Sequence, residues 1–470
     1  MADESRARAA ASESDRIAAF AAALRLEQIP SVVREQAKRL MLDAAGIAFA
    51  STRQDYGRVA CEAGKALSMG AGNSVVIGTG LRLTPRDAAL VNGILVHGLD
   101  YDDTHVAGIV HVSASLLPTV LAVGAETGAS GARMLAAFVA GIEVASRIGM
   151  VAKGGFHQVG FHPTSVAGVF GCTVAAGMLM GLDRATLVRA QGIALSTASG
   201  SFEFLAEGAW TKRFHPGWAA AAAITAATFA KAGFVGPSLA YEGRFGLYRS
   251  YLGPAFEERN LPLLTDGLGK RWETSNVAIK PYPACHFLHA SIDAALEIQR
   301  THNLAPDDIA SAEALVPAEV VTTVCEPIAR KQAVTSAYEA QFSIPYAVAC
   351  GLVRRRFDLG SLEPAALADA ATQAVARRVS YRVDPASGFP TYYSGEVVVR
   401  TRDGRELRNR QQMNRGCADR PLSGSEVSAK FHANADPIAG ADRANAVERA
   451  VLGFETIANG RDLAEVLALA

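Results

Sequence analysis

Histidine and aspartate side chains are concentrated in one short segment of this 470-residue chain. His97, Asp100 and Thr104 lie in the sequence HGLDYDDTH, and His111 follows shortly after it. If the helix predicted from Pro85 continues through this segment, the first three share one face. Carboxylates and imidazoles arranged in this way can carry protons or bind a divalent metal ion. The competing interpretation is a polar helix end with capping aspartates.

Other segments place histidines and cations near predicted helix starts, within FHPTS, WTKRFHPG and KPYPACHFLH. Their candidate side chains are His162, Lys212, Arg213, His215, Lys280 and His289. Free backbone N–H groups at a helix start favour an anion, and nearby cations neutralise carboxylates. Histidine is the natural proton carrier near neutral pH. These segments therefore predict a site for a di- or tricarboxylic acid, against the alternative of ordinary helix starts with surface histidines.

The composition excludes several classes of partner and cofactor. Lys plus Arg and Asp plus Glu both number 46, so the formal net charge is zero and no nucleic-acid partner is predicted. The six cysteines are scattered, which supports neither a disulfide framework nor a structural zinc site. No nucleotide-binding glycine motif is present. The polar N-terminus and the buried interpretation of the apolar stretches 166–182 and 218–230 predict a cytoplasmic protein without a membrane span.

The elements that must position these residues change character along the chain. Helical periodicity extends to about residue 270, whereas 309–316, 379–383 and 397–402 are typical of strands, with a hairpin turn at Asp403-Gly404. The predicted fold class is mainly α, a large all-helical domain with an inserted smaller α+β domain. Its boundaries are 1–270 for the first helical part, 271–412 for the α+β domain and 413–470 for the C-terminal helical part.

The motifs, taken in order, resemble those of the MmgE/PrpD family. The resembling segments are HGLDYDDTH, GFHPTSVAG, KRFHPGWAA, AGFVGP, KPYPACHFLHASIDA and AQFSIPY. They span nearly the whole chain, so the ordered set is specific although each motif alone is weak. The resemblance implies a helical domain with an inserted α+β lid, a homodimer, and catalysis without a metal or organic cofactor.

The resemblance also assigns residues to a site. The positions that match residues lining the family's active site are Asp100, Thr104, His111, His162, Lys212, His289 and Tyr346. In the predicted mechanism His111 or His162 moves a proton at carbon, and the other acts on the leaving group. Lys212 binds a carboxylate, while Asp100 and Thr104 orient an imidazole and the substrate. His97, Arg213, His215 and Lys280 complete the predicted substrate site, and no metal ligand is assigned.

The first functional hypothesis is a hydro-lyase of the 2-methylcitrate dehydratase type. The alternatives with similar proton chemistry are an epimerase acting on an aminopolycarboxylate such as iminodisuccinate, and a cis-aconitate-type decarboxylase. The chain departs from the decarboxylase branch in having Cys285 where that branch places a histidine, and in one extra residue between Thr104 and His111. Alternatives from other classes are a metal-dependent hydrolase that uses the Asp/His cluster and a non-catalytic helical binding protein.

Overall fold

The chain is mainly helical and folds as two compact units. The computed structural model of the protein describes residues 11–389 and 391–469, so the predicted polar start of the chain at 1–10 lies outside the described residues. The first unit comprises the described residues up to Gly98, Ala107–Asn276 and Val427 onward. The second comprises Leu99–Val106 and Val277–Glu426. These limits differ from the predicted 271–412, most notably because the second unit includes the segment from Leu99.

The helices and strands are numbered in chain order. The α-helices are α1 Glu13–Ala23, α2 Ser31–Ser51, α3 Asp55–Leu67, α4 Pro85–His97, α5 Ser113–Thr127, α6 Gly131–Ala152, α7 Gly155–Gln158, α8 Pro163–Leu179, α9 Arg184–Leu195, α10 Phe204–Glu207, α11 Thr211–Lys231, α12 Leu247–Leu252, α13 His289–His302, α14 Val321–Val324, α15 Ile328–Lys331, α16 Ala337–Ala340, α17 Ile344–Val353, α18 Pro364–Leu367, α19 Ala370–Ala376, α20 Gly424–Ala439, α21 Ala441–Leu452 and α22 Gly460–Leu467. The strands are β1 Ser74–Val75, β2 Arg82–Leu83, β3 Thr104–His105, β4 Val277–Ala278, β5 Ile309–Val316, β6 Val379–Val383, β7 Gly395–Thr401 and β8 Glu406–Gln411. Short 3₁₀ helices connect several of them.

Glycines allow the helices of the first unit to approach one another closely. A Cβ added to Gly93 on α4 would lie 2.5 Å from the Cα of Gly217 on α11. A Cβ added to Gly171 on α8 would lie 2.5 Å from the carbonyl oxygen of Gly141 on α6. No side chain fits at such separations. The Gly93–Gly217 contact brings α4, which ends at His97, against α11, which carries Lys212 and His215.

The longest apolar helix of the first unit is α6, a segment that the sequence analysis did not consider as a membrane span. Its length and composition would allow it to cross a membrane, but 94% of its most apolar 18-residue window is buried inside the protein. α6 packs against α8 and α5, and a buried core helix has the same composition as a membrane span. It also buries Glu143 and Arg147, which form an ion pair.

The second unit contains a four-stranded sheet in the order β6-β5-β7-β8. β5 pairs in parallel with β6, whereas β7 is antiparallel to both β5 and β8. The predicted hairpin at Asp403-Gly404 is confirmed, with Gly404 at a φ of 90°. β5 and β6 occupy the predicted residues. α13 packs against β7 and β8 on one side and against α17 on another. These contacts enclose the apolar core of this unit.

Candidate active site

Four histidines from four different segments meet in the first unit. His97 is the last residue of α4, His111 lies just before α5, His162 caps the start of α8, and His215 lies within α11. The ring centroid of His97 is 5.0 Å from that of His111 and 5.5 Å from that of His162. One ring nitrogen from each of these three lies within 4.8 Å of the other two. We call His97, His111, His162 and His215 the histidine cluster.

Backbone contacts hold the cluster in place. The His111 N–H donates to the Thr164 hydroxyl at 3.1 Å, which links this residue to the first turn of α8. The His162 N–H donates to the Gly200 carbonyl at 2.7 Å. Pro163 then occupies the first position of α8, where its missing N–H costs no hydrogen bond. The predicted helix start near Thr164 is confirmed, and it places His162 at the helix cap.

His162 and His215 form a direct imidazole pair. Their Nδ1 atoms are 3.0 Å apart, so one of the two must carry a proton and the other must accept it. In two neutral rings, the donor ring keeps a lone pair on Nε2, and the acceptor ring carries a proton on Nε2. The pair can therefore present a general base on one ring and a general acid on the other.

Burial keeps this pair uncharged at neutral pH. Burial away from solvent is the largest cause that lowers the pKa of His162 well below its usual range. Electrostatic repulsion from His215, His97 and Lys212 lowers this pKa further. Burial, with His97 and Lys212, lowers the pKa of His215 to about 4. The rings of Phe202 and Phe204 pack against the two imidazoles. Near pH 7 both rings are neutral, as proton acceptance requires.

Lys212 and Arg213 lie inside α11, not ahead of it. The prediction that this helix begins at residue 218 was wrong, because the helix tolerates Pro216 and starts at Thr211. The Arg213 Nε–H donates to the Gly98 carbonyl at 2.7 Å, and its guanidinium lies 4.5 Å from the centre of the Tyr56 ring. Arg213 thus holds the end of α4 in place. The positive charge of Lys212 instead lowers the pKa values of His162 and His215.

The condition that α4 continues through Asp100 to Thr104 is not met, so these residues do not share a helical face with His97. The helix ends at His97, Asp100 has a left-handed backbone with a φ of 51°, and Thr104 belongs to β3. β3 pairs with β4, so Thr104 lies opposite Ala278. Strand pairing between segments that are distant in the sequence, such as Thr104 and Ala278, leaves no local sequence signal. Leu99–Val106 belongs to the second unit, together with β4.

Within the second unit, Asp100 and Lys280 form a buried ion pair. The Lys280 ammonium donates to the Asp100 carboxylate at 2.7 Å and to its backbone carbonyl at 2.9 Å. Asp102 and Asp103 are also buried. Lys280 is fully buried and its ammonium binds this carboxylate, so its predicted role in substrate binding stays a prediction. The second unit thus contains a polar group built from Asp100, Asp102, Asp103, Thr104 and Lys280.

His289 and Tyr346 occupy the core of the second unit. The Tyr346 hydroxyl donates to the Ser361 carbonyl at 2.7 Å, and burial raises its pKa far above the usual range. A ring nitrogen of His289 lies 3.2 Å from the Ala284 carbonyl oxygen. These contacts lie within the protein and fix the start of α13 and the packing of α17. The substrate-binding roles of both residues stay predictions.

Matches to known proteins cover both parts of the chain. Residues 15–259 match the MmgE/PrpD N-terminal domain, and residues 282–456 match the MmgE/PrpD C-terminal domain. The chain belongs to the MmgE/PrpD family. The resemblance predicted from the sequence motifs is confirmed.

Similar members of the MmgE/PrpD family are enzymes. The chain is 27% identical to the cis-aconitate decarboxylase-like protein oryM of Aspergillus oryzae, with 95% of this chain and 94% of that protein covered. It is 28% identical to the human cis-aconitate decarboxylase, with 92% of this chain and 90% of that protein covered. Cis-aconitate decarboxylase of Aspergillus terreus is 30% identical over 60% of this chain and 59% of that protein.

The sequence analysis of this MmgE/PrpD chain missed two histidines with specific contacts. In the second unit, a ring nitrogen of His286 lies 2.7 Å from the Asn414 side-chain amide, a long-range contact without a local signal. In the first unit, the His157 ring lies edge-on against Phe202 with centroids 4.4 Å apart. His157 lies shortly before His162 in the sequence, but its spacing does not predict a shared site.

His157 makes a testable contribution to stability in acid. Burial, with the nearby Lys212 charge, lowers its pKa from 6.5 to about 4 in this MmgE/PrpD protein. Between these two pH values the unfolded chain binds a proton that the folded chain does not. The free energy of unfolding therefore falls as the pH drops through this range, by up to about 1.4 kcal/mol per pH unit.

We expect His157→Gln to flatten this acid-side loss, measured by urea unfolding at a series of pH values. His432→Gln is the control. Hydrogen bonding to Asp436 raises the pKa of His432, so below pH 6.5 both its folded and unfolded states are protonated and the acid slope is unchanged. Equal slopes in wild type and His157→Gln would contradict the assignment.

Proposed function

We propose that this protein is a lyase that acts on a small polycarboxylic acid, and that decarboxylation of a cis-aconitate-type acid is its reaction. The observation that carries the proposal is the histidine cluster, in which the buried, neutral imidazoles of His162 and His215 lie beside Lys212. The similar cis-aconitate decarboxylases, which align over most of the chain, support the choice of reaction. They favour it over the dehydratase hypothesis.

The chemistry of such a reaction needs only the groups of the chain. Loss of CO₂ breaks the bond between the CH₂ carbon and its carboxylate, and the released electron pair moves through the adjacent double bond. A proton must then add at the far alkene carbon. An imidazole N–H of the histidine cluster supplies this proton, and Lys212 stabilises the negative charge that develops. No oxidant or reductant enters the balance.

Dehydration of a hydroxylated polycarboxylate such as 2-methylcitrate is the second candidate. The observation that favours it is Cys285, which stands where the resemblance places a histidine in the decarboxylase branch. Cys285 is half-buried in the second unit, and its backbone N–H donates to the Gln341 carbonyl at 2.9 Å. A cysteine in place of this histidine would suit a reaction whose leaving group is water instead of CO₂.

Proton NMR in D₂O distinguishes these reactions. The protein is incubated separately with cis-aconitate, 2-methylcitrate and iminodisuccinate. Deuterium in the product together with release of CO₂ identifies the decarboxylase, and new olefinic signals without CO₂ identify the dehydratase. Stereoisomer mixing with α-deuteration identifies an epimerase. If none of these acids reacts or exchanges, the proposal fails.

The active acid then provides a test of Lys212. We expect Lys212→Met to lower kcat/KM by at least about a hundredfold, because a methionine of similar length cannot stabilise developing negative charge. Lys231→Met on the exposed end of the same helix is the matched control and should retain the wild-type rate. Near wild-type turnover in Lys212→Met would remove Lys212 from the mechanism.

We also propose that a second copy of the chain covers an aromatic face of α11. Trp210, Phe214 and Trp218 recur at helical spacing and are 38–48% exposed, and Phe214 stacks on Trp218 with centroids 6.1 Å apart. Exposed aromatic stripes of this kind are typical of interfaces between subunits. The homodimer that the family resemblance implies gives this face an occupant.

Sedimentation velocity tests the dimer. Phe214→Glu combined with Trp218→Glu should convert a dimer into a monomer, because each introduced carboxylate would be buried without a partner. Leu67→Glu, which changes an exposed apolar residue of α3, should leave the dimer intact. A monomeric wild-type protein would refute the proposal.

A further inference from the structure

The nitrogen atoms of His97, His111 and His162 are arranged like the ligands of a metal centre. One nitrogen from each ring lies within 4.8 Å of the other two. In a tetrahedral zinc site, bond lengths of 2.0–2.1 Å place ligand nitrogens about 3.3 Å apart. Small rotations of three side chains would close the remaining distance. Three imidazoles with a fourth position left for water form a complete ligand set for this ion.

We propose that His97, His111 and His162 form a binding site for a divalent d-block cation such as Zn²⁺ or Co²⁺. The set contains only imidazoles, which suit zinc, cobalt and nickel, whereas Mg²⁺ and Ca²⁺ require oxygen ligands. The aspartates of the HGLDYDDTH segment do not belong to this set of close ligand atoms. The site therefore differs from the Asp/His metal site considered from the sequence.

The surroundings of the three rings support coordination. His97 and His162 are buried, and His111 is half-buried, so an ion here is shielded from bulk water yet reachable from the His111 side. His162 also meets His215 through the 3.0 Å contact between their Nδ1 atoms. If the His162 Nδ1–H donates in that contact, its Nε2 lone pair is available to the ion. Metal-binding histidines commonly have such a hydrogen-bonded partner on the second nitrogen.

Metal binding and proton transfer exclude each other at these rings. A coordinated nitrogen has no lone pair left to accept a proton and no proton to donate. A cation in this site therefore inhibits any reaction that uses these coordinated nitrogens of His111 or His162 as acid or base. This consequence rests on the proposed function, whereas binding itself rests only on the geometry of the three imidazoles.

Cobalt titration of the full-length, chelator-treated protein tests binding without any turnover. We expect visible absorption bands of four-coordinate Co²⁺ that saturate at one ion per chain and disappear when Zn²⁺ is added. His97→Ala and His162→Ala should each lose these bands, with circular dichroism verifying the fold. His302→Ala, which removes an exposed histidine at the end of α13, should keep them. His111→Asn provides a further variant if either alanine variant fails to fold.

The absence of cobalt bands in the wild-type protein, or equal bands in the three cluster variants and wild type, would overturn the site. Inhibition is measured separately, as the rate with and without saturating Zn²⁺. A rate that does not change at saturating Zn²⁺ would show that metal binding and proton transfer do not use the same imidazole nitrogens. If no acid is turned over, the proposed function fails while the binding result stands on its own.

Discussion

His162→Gln lowers kcat/KM for the active polycarboxylate by at least about a hundredfold, the usual cost of removing a general acid or base. His162 combines the features that proton transfer needs. It is buried, its lowered pKa keeps it neutral, and its Nδ1 lies 3.0 Å from that of His215. Glutamine retains an amide that can meet His215, so the local packing persists while the titrating group is lost.

Steady-state kinetics with circular dichroism and thermal unfolding separates this effect from misfolding. His302→Gln, an exposed histidine substitution, is the matched control and should leave both rate and stability unchanged. A second readout is isotope exchange in D₂O, which His162→Gln should slow in parallel with turnover. Wild-type rates in a folded His162→Gln protein would assign proton transfer to another residue of the histidine cluster.

Glu143→Ala lowers the free energy of unfolding by about 3–5 kcal/mol, as expected when one partner of a buried ion pair is removed. Glu143 and Arg147 are fully buried one turn apart on α6, with Nε and Oε2 separated by 3.5 Å. The Glu143 carboxylate accepts from the backbone N–H groups of Glu273 and Thr274 and from the Thr274 hydroxyl, each at 2.9 Å. Substitution by alanine removes the carboxylate that accepts these three hydrogen bonds and that neutralises the Arg147 charge.

Arg147 explains why the loss is large. Its guanidinium donates to the backbone carbonyls of Leu263, Asp266 and Arg271, so the pair ties the segment after α12 to the core helix. Burial raises the pKa of Glu143, although the hydrogen bonds and Arg147 act in the opposite direction. In the wild-type protein, the attraction between Glu143 and Arg147 offsets part of the free-energy cost of burying each charge. In Glu143→Ala the Arg147 charge stays buried without that compensation, which destabilises the folded state.

Urea unfolding measures this change, and an exposed pair provides the control. Asp55 and Arg58 form an ion pair on α3 with side chains 74% and 64% exposed, so Asp55→Ala should change the free energy of unfolding by less than about 1 kcal/mol. If Glu143→Ala unfolds at the wild-type urea concentration, the pair does not hold this segment.

Several elements of the fold could be predicted because their signals are local. Thr84 accepts a hydrogen bond from the Asp87 N–H at the start of α4, and Asp183 accepts one from the Thr186 N–H at the start of α9. The Asp403-Gly404 turn needs a residue that adopts positive φ, and the chain supplies it. Predictions failed where prolines were tolerated or displaced a boundary. α11 includes Pro216 and begins at Thr211, ahead of the apolar stretch 218–230.

The amino-acid sequence by itself determined the family, the mainly helical character and the identity of most chemically active side chains, because motifs and caps depend on neighbouring residues. The lid role of the second unit and the cytoplasmic location stay predictions. Only the tertiary structure decided which side chains meet. The Gly93–Gly217 approach brings α4 against α11, and the Nδ1 contact joins His162 to a residue 53 positions away. Such contacts depend on long-range packing, which periodicity and spacing along one segment do not encode.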